Sequence, residues 1–281
     1  FKIPTTAYIV SQMKNKILHD ETTSTLVENT CQPDQLLFIN TVANTFNALV
    51  PSFKYQLVNR TNYIDNAVHN FLKVYENLSY DVQVVILGSG LDTRPFRIPG
   101  NISWYEIDLD PFVNNKKEIL QSTNENHYTL QANYLEEDYI ETFIQNNNFD
   151  PYKPTLIIWE GNSYYFKQED IKRIFDYLSS KISEWTIVFD HFVFNGFTFP
   201  RLVEAGSVFK SVLILYNLEN NYNLKRIDNT KEPASLGSLE YTTLRYDGVF
   251  SVNHTSYDTV GIDTTLEEWF MYLLAVMITP R

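Results

Sequence analysis

Residues 82–110 read VQVVILGSGLDTRPFRIPGNISWYEIDLD, and the fold follows from this stretch. Val82–Leu87 is a short apolar run rich in β-branched residues and closed by glycine, the pattern of a strand buried on both faces of a parallel sheet. Gly88-Ser89-Gly90 follows at once, and glycines there permit a tight turn and let a ligand approach the backbone. Residues 104–107 predict a second strand, with Glu106 and Asp108 at its end. A glycine turn after one strand and a carboxylate after the next is a layout that holds a nucleoside, the acid accepting hydrogen bonds from ribose hydroxyls.

The spacing also bears on which nucleoside. A dinucleotide fingerprint requires G-x-G-x-x-G opening a helix. Here the third position is Thr93, followed by Arg94-Pro95, so that helix is poorly written. A loop ending in Asp92-Thr93-Arg94 suits a ligand without a pyrophosphate. S-adenosylmethionine, which joins a nucleoside, a sulfonium and an amino acid, has no phosphate at all. An NAD(P)-binding oxidoreductase is the runner-up, with the missing third glycine against it.

GSGLDTRPFRIP followed by WYEIDLD resembles the leucine carboxyl methyltransferase family, whose pattern is G-A-G-L-D-T-R and then F/Y-E-V-D. Asn59-Arg60-Thr61-Asn62-Tyr63-Ile64-Asp65 is similar to the family's arginine segment ahead of the first strand. Trp159-Glu160-Gly161-Asn162-Ser163-Tyr164-Tyr165 is similar to its E-G-x-x-x-Y after the fourth. The agreement runs over roughly residues 55–190 and fades beyond 195. The resemblance implies a Rossmann-like α/β fold of the class I methyltransferase type: a mostly parallel seven-stranded sheet with an antiparallel last strand, a helical N-terminal cover and a lid insertion. It implies S-adenosylmethionine as cofactor, with Arg60, Gly88, Ser89, Gly90, Asp92, Glu106, Asp108, Asn133, Tyr134 and Glu160 around it. Where the family carries Asp to take the adenine amino group, this chain has Asn133, which can still accept through its amide oxygen; Glu136, Glu137 and Asp138 are neighbouring rivals.

Arg60 has a physical case beside the resemblance, and the resemblance implies that Glu160 converges with it on the methionyl end of the cofactor. The methionyl end carries a carboxylate and an ammonium on one carbon, so a complementary site needs a cation and an anion close together. Arginine holds a carboxylate bidentately. The two residues lie a hundred positions apart (160 − 60 = 100), and nothing local requires them to meet.

In chain order, residues 11–19, 35–49 and 63–78 carry helix-period apolar residues and predict a helical cover over 1–80. Asp110-Pro111 opens a helix through Val113, Lys117 and Leu120; 127–132 is a third strand; Thr155–Trp159 is a fourth, ending in Glu160. An acidic first turn at 168–170 starts an amphipathic helix through Ile171, Ile174, Phe175 and Leu178. Residues 185–189 form a fifth strand, terminated by Asp190-His191. Strands alternating with helices demand a parallel sheet, with ligands at the strands' carboxyl ends, where Gly88, Asp108, Asn133 and Glu160 all fall. The cofactor-binding core is thus 81–194. Residues 195–240 read as a lid over the acceptor or as core packing alone, and 241–253 as a hairpin. Periodicity does not separate a helix from a buried strand within 264–278, where the resemblance implies a helix to about Phe270 and then a closing antiparallel strand. The whole is one domain.

With 281 residues, 44% hydrophobic and 15% aromatic, the chain has enough to bury a core. A formal charge of −12 argues against nucleic-acid or anionic-membrane partners, and no run of 18 apolar residues spans a bilayer. The single Cys31 excludes an internal disulfide and favours a reducing, cytoplasmic setting. The five histidines are scattered, with no metal-ligand spacing, and neither a G-x-S-x-G elbow nor a phosphate loop is present.

The reaction expected is methyl transfer to an oxygen, to a protein's C-terminal leucine carboxylate or a small-molecule acid; a non-catalytic S-adenosylmethionine-binding protein is the alternative. A carboxylate is already nucleophilic at neutral pH. A hydroxyl acceptor would need a base, and Tyr165 and His191 are the nearest catalytic candidates.

Overall fold

The structure, a computed structural model, describes residues 5–49, 51–76, 81–136, 138–146, 148–163, 166, 168–192, 250–252 and 273–280. Five parallel strands form its centre: β1 (Val82–Leu87), β2 (Ile102–Asp108), β3 (His127–Gln131), β4 (Thr155–Trp159) and β5 (Trp185–Phe192). They lie in the order β3-β2-β1-β4-β5, with Val84 opposite both Trp104 and Leu156. The order therefore reverses at β1, and such a reversal leaves a crevice at the carboxyl ends of the strands. Past β5, β7 (Leu273–Pro280) pairs antiparallel with β5, and β6 (Phe250–Val252) pairs antiparallel with β7.

Strand β1 is buried along its whole length. Val85 and Leu87 enter a core with Ile157, Trp159, Ile187 and Phe189. Val84 and Ile86 enter another with Leu156, Ile158 and Val188. Alternate side chains of one strand thus serve opposite faces. The polar exception, Gln83, donates to Asp150 O at 2.8 Å and accepts from Asp150 N at 2.9 Å, so its burial leaves neither end of the amide unpaired.

The first face is covered by α7 (Tyr139–Gln145) and α8 (Gln168–Lys181), through Tyr139, Ile140, Phe143, Ile171, Ile174, Phe175 and Leu178. The second is covered by α4 (Pro51–Glu76), through Ile64, Val68 and Leu72 at four-residue spacing. Burying each of those three contributes roughly 1.5–3 kcal/mol, an upper estimate. Their sum exceeds what one buried ion pair supplies, so apolar packing fixes where α4 sits. Arg60 is one turn earlier on the same stripe, and α4 therefore aims it at the sheet. The helices α1 (Thr5–Leu18), α2 (Glu21–Thr30) and α3 (Pro33–Leu49) precede α4, with Ile9 and Met13 of α1 packed on Ile39, Val42, Ala43 and Phe46 of α3.

Several elements differ from the sequence reading. The helix expected over 63–78 starts at Pro51. The one expected from Pro111 is a 3-10 turn, Pro111–Asn115, followed by a single turn, α6 (Lys116–Ile119). Strand β2 begins two residues earlier, and β5 continues through Asp190 and His191, because β7 supplies partners as far as Phe192. Neither α2 nor α7 was expected. Both are short, and their clearest signals are side-chain caps: Asp20 accepts from Thr22 N and Asp138 from Glu141 N. The lid over 195–240 and most of the hairpin lie outside the described residues. Among the described residues no helix is long and apolar enough to cross a membrane.

Candidate functional site

The loop between β1 and α5 (Arg94–Arg97) is tied to the end of β2 by its backbone. Gly88 N and Ser89 N donate to Ile107 O at 2.8 and 3.1 Å. Gly90 N donates to Asp108 Oδ2 at 2.8 Å, while Asp108 Oδ1 accepts from Asp110 N at 2.9 Å. Asp108 thus holds the turn from the neighbouring strand while remaining only half-buried. Gly88 and Gly90 have φ of +65° and +40°, which favours glycine. Their surroundings differ. A Cβ on Gly88 would fall 1.8 Å from Asn162 Nδ2, whereas one on Gly90 would meet nothing within 4 Å. The open space lies over Gly90.

Glu160, one residue past β4, stands among three cations. Arg60 Nε is 2.9 Å and Lys14 Nζ 3.8 Å from Oε1, and Arg94 Nη2 is 2.6 Å from Oε2. Arg94 is 1% exposed and reaches two more carboxylates, Asp65 through Nε at 2.7 Å and Asp92 through Nη1 at 2.5 Å. Arg97 closes the network on Asp65 at 2.6 Å. Beside the cluster is a cavity of about 340 Å³, lined by Lys14, Thr61, Asp65, Asp92 and Arg94 among others.

Burial alone would raise the Glu160 pKa, but the charges of Arg94, Lys14 and Arg60 outweigh it and hold the carboxyl well below its ordinary range. Asp65 is lowered for the same reason, burial being outweighed by Arg94 and Arg97. A lowered folded pKa contributes stability in full above the unfolded value, about 3.9–4.3, and loses it as pH falls through the folded one. The thermal midpoint is expected to stay level from pH 7 to about 5 and to fall steeply below about 4. Calorimetry across that range checks it; a midpoint already falling between pH 7 and 5 would contradict the role given to these pairs.

The other sequence-predicted residues divide. Asp92 braces the loop: its N donates to Ser89 O at 2.7 Å, and its carboxylate accepts from Arg94 N at 2.9 Å. Ser89 is 4% exposed, its Oγ 3.4 Å from Lys116 Nζ, so it contributes backbone to the turn while its side chain is turned inward. The Asn133 amide oxygen already accepts from Leu135 N at 3.1 Å, closing a local turn. Tyr134 is 7% exposed, packs edge-on against Trp159 and Phe166, and accepts from Trp159 Nε1 at 3.3 Å; burial raises its phenol pKa. Glu106 is a correction. It is 0% exposed with its oxygens engaged by Lys116 and His127, and cannot present a carboxylate to a ribose. Asp108, two residues on, is the carboxylate at the crevice. Tyr165 lies outside the described residues; His191 is placed only by its backbone, opposite Leu274.

Sequence reasoning did not single out Lys14, Asp65 or Asn162, and it treated Arg94 only as a motif letter. The available signal was polarity at helical spacing, since Thr61 and Asp65 run one step beside the apolar stripe of α4. The third-glycine position also explains itself. Thr93 Oγ1 donates to Asp20 Oδ2 at 2.8 Å, and α5 has only four residues, so no helix N-terminus faces the turn as a pyrophosphate would require. The arrangement fits a ligand with one carboxylate and one ammonium near Arg60 and Glu160, and a polar body reaching toward Asp108.

Known proteins agree with this architecture. The family model described as leucine carboxyl methyltransferase matches residues 5–179. A candidate S-adenosyl-L-methionine-dependent methyltransferase of Mycobacterium marinum is 32% identical over 127 residues, 42% of this chain and 42% of that protein. The protein named leucine carboxyl methyltransferase 1 of Candida albicans is 24% identical over 236 residues, 69% of this chain and 61% of that one. The matched stretches span under two thirds of both relatives' lengths. A crystal structure of a candidate methyltransferase from Thermobifida fusca superposes with a TM-score of 0.55 at 12% identity, covering 92% of this chain and 93% of that one, which is a likeness of fold.

Proposed function

We propose, from the premise that this chain belongs to the leucine carboxyl methyltransferase family, that it is an S-adenosylmethionine-dependent O-methyltransferase whose acceptor is a carboxylate. The observation that carries this is the meeting of Arg60 and Glu160 at 2.9 Å, beside a glycine turn with open space over Gly90. Arg60 would hold the methionyl carboxylate, with Lys14 adding positive charge, and Glu160 would accept from the ammonium. Asp108 would take the ribose hydroxyls, while Tyr134 and Asn133 wall the nucleoside side. When bound, the cofactor supplies a sulfonium methyl that is already activated. The chain's own residues then need to align the acceptor and keep water out.

The carboxylate acceptor rests on chemistry and on kinship. Such an acceptor needs no base, and no base constellation is legible in the described site. The Candida relative is named for a leucine carboxyl group. A protein C-terminal leucine and a small-molecule acid are the two acceptors this reading admits. The same reading takes the chain as one domain, with 1–80 as cover, 81–194 as cofactor core, and 195–281 as lid and closing strands. Tyr165 and His191 remain the candidates for the base that a hydroxyl acceptor would require.

Titration calorimetry tests the cofactor. S-adenosylmethionine and S-adenosylhomocysteine should bind, and NAD should not. Arg60→Ala should weaken S-adenosylmethionine by roughly 1.5–3 kcal/mol, about 10- to 150-fold, while leaving 5′-methylthioadenosine almost untouched. Equal losses for both ligands would mean that Arg60 acts through folding. Turnover with peptides ending in leucine and with small carboxylic acids tests the acceptor, because a methyl ester releases methanol in alkali and a methyl ether does not. A product stable to alkali would overturn the carboxylate.

A further inference from the structure

A second buried charge cluster touches the same loop, and the proposed reaction does not use it. The side chains of Glu106, Lys116 and His127 are all 0% exposed. Lys116 Nζ is 2.5 Å from Glu106 Oε1, 3.1 Å from Asp92 O and 3.4 Å from Ser89 Oγ. Glu106 Oε2 meets His127 Nε2 at 2.6 Å, and the other ring nitrogen of His127 is buried without a hydrogen bond. An ammonium has three protons, so Lys116 is fully committed. A buried ion pair is weak evidence for stability, since apolar residues of similar volume often serve a core as well or better. What distinguishes this pair is where it points. Two of the three Lys116 contacts go to the Ser89–Asp92 loop, and only one goes to the sheet.

Asp92 is consequently gripped by two buried cations. Its carboxylate is held by Arg94 on the Glu160 network, and its carbonyl by Lys116. We infer that Lys116 is a positioning residue for the cofactor turn, aimed by Glu106 and His127, and that it sets the height of Ser89–Asp92 against Asp108. The inference rests on the reading of that turn as the cofactor floor. Ser89 has its part here, as the side chain on which the lysine bears, and Glu106 serves the turn from within the core.

The test compares the parent with Lys116→Met/Glu106→Gln, which removes both charges together and leaves His127 an amide oxygen to donate to. Lys116→Met alone would strand a buried carboxylate. In the ligand-free protein, backbone amide exchange at Gly90 and Asp92 is expected to quicken roughly tenfold, the scale of one hydrogen bond, with β4 and β5 unchanged. S-adenosylhomocysteine affinity is expected to fall by a similar factor. Parent-like exchange, parent-like affinity, or loosening spread evenly over β4 and β5 would each overturn the positioning role. Should the double variant fail to fold, Ser89→Ala keeps the question open to test, because it leaves both charges in place. It is expected to give a smaller acceleration at the same two amides, and none would overturn the inference. Local acceleration in a protein whose parent binds no S-adenosylhomocysteine would leave the strut standing and overturn the cofactor reading instead.

Discussion

A Gly90→Val protein is expected to fold and to lose measurable binding of S-adenosylhomocysteine. The space is the reason. A Cβ at Gly90 would meet no atom within 4 Å beyond its chain neighbours, so the substitution starts into open space rather than into the packed chain. The backbone there, at φ +40°, imposes strain on a β-branched residue of about 1–3 kcal/mol. That is a fraction of the 5–15 kcal/mol typical of a folded domain. Affinity should fall by more than about 100-fold, since Val occupies the volume where the methionyl group would lie over the turn. Circular dichroism with titration calorimetry checks both halves. A folded variant with unchanged affinity would remove the Gly88–Gly90 turn from the site. Gly88 makes a poorer probe, because a side chain there would first strike Asn162.

The largest stability effect is expected at Arg94. One guanidinium reaches Asp65, Asp92 and Glu160 with different nitrogens, and the side chain is 1% exposed. Arg94→Ala leaves three carboxylates facing one another with Arg60, Lys14 and Arg97 only partly compensating. Breaking a buried pair by removing one partner costs about 3–5 kcal/mol. For a chain of this size that corresponds to a fall in thermal midpoint of roughly 5–10 °C. Arg94→Lys should rescue little, because a point charge cannot address three acceptors at the geometry of a planar fork. A thermal scan of both variants decides the matter, and a parent-like midpoint for Arg94→Ala would show that the network is not stabilising.

The contrast between Arg94 and β1 shows what could be read from sequence and what could not. Val82–Leu87 and Thr155–Trp159 were legible to the residue, because an apolar run closed by glycine, or opened by proline, has few other readings. Arg60 and Glu160 were legible as a pair through the family resemblance, with the chemistry of a zwitterion as its rationale, and only the fold brings them to 2.9 Å. Arg94 was not, since an arginine in a polar loop carries no mark of being fully buried. Its burial depends on three acids contributed from positions 65, 92 and 160. Glu106 was misread for a related reason. Alternation puts Glu106 and Asp108 on the same side of β2, and only the arrival of Lys116 and His127 beneath the turn separates a core carboxylate from an exposed one. Helix α2 escaped notice because it buries only Thr23, Leu26 and Val27, too few for a periodic signal.

The stripe that carries Arg60 also has a consequence for synthesis. Ile64, Val68 and Leu72 are complete well before β4 exists, and the carboxylate that Arg60 meets comes 100 residues later (160 − 60 = 100). At translation rates of about 5–20 residues per second, that gap lasts roughly 5–20 s. During it the nascent helix exposes an apolar stripe with only part of the sheet to cover, and Arg60 has yet to meet Glu160. The cleft is therefore finished late, after the strand that ends in Glu160 has left the ribosome. Until then the emerging chain has apolar surface to bury before it has a cleft to fill.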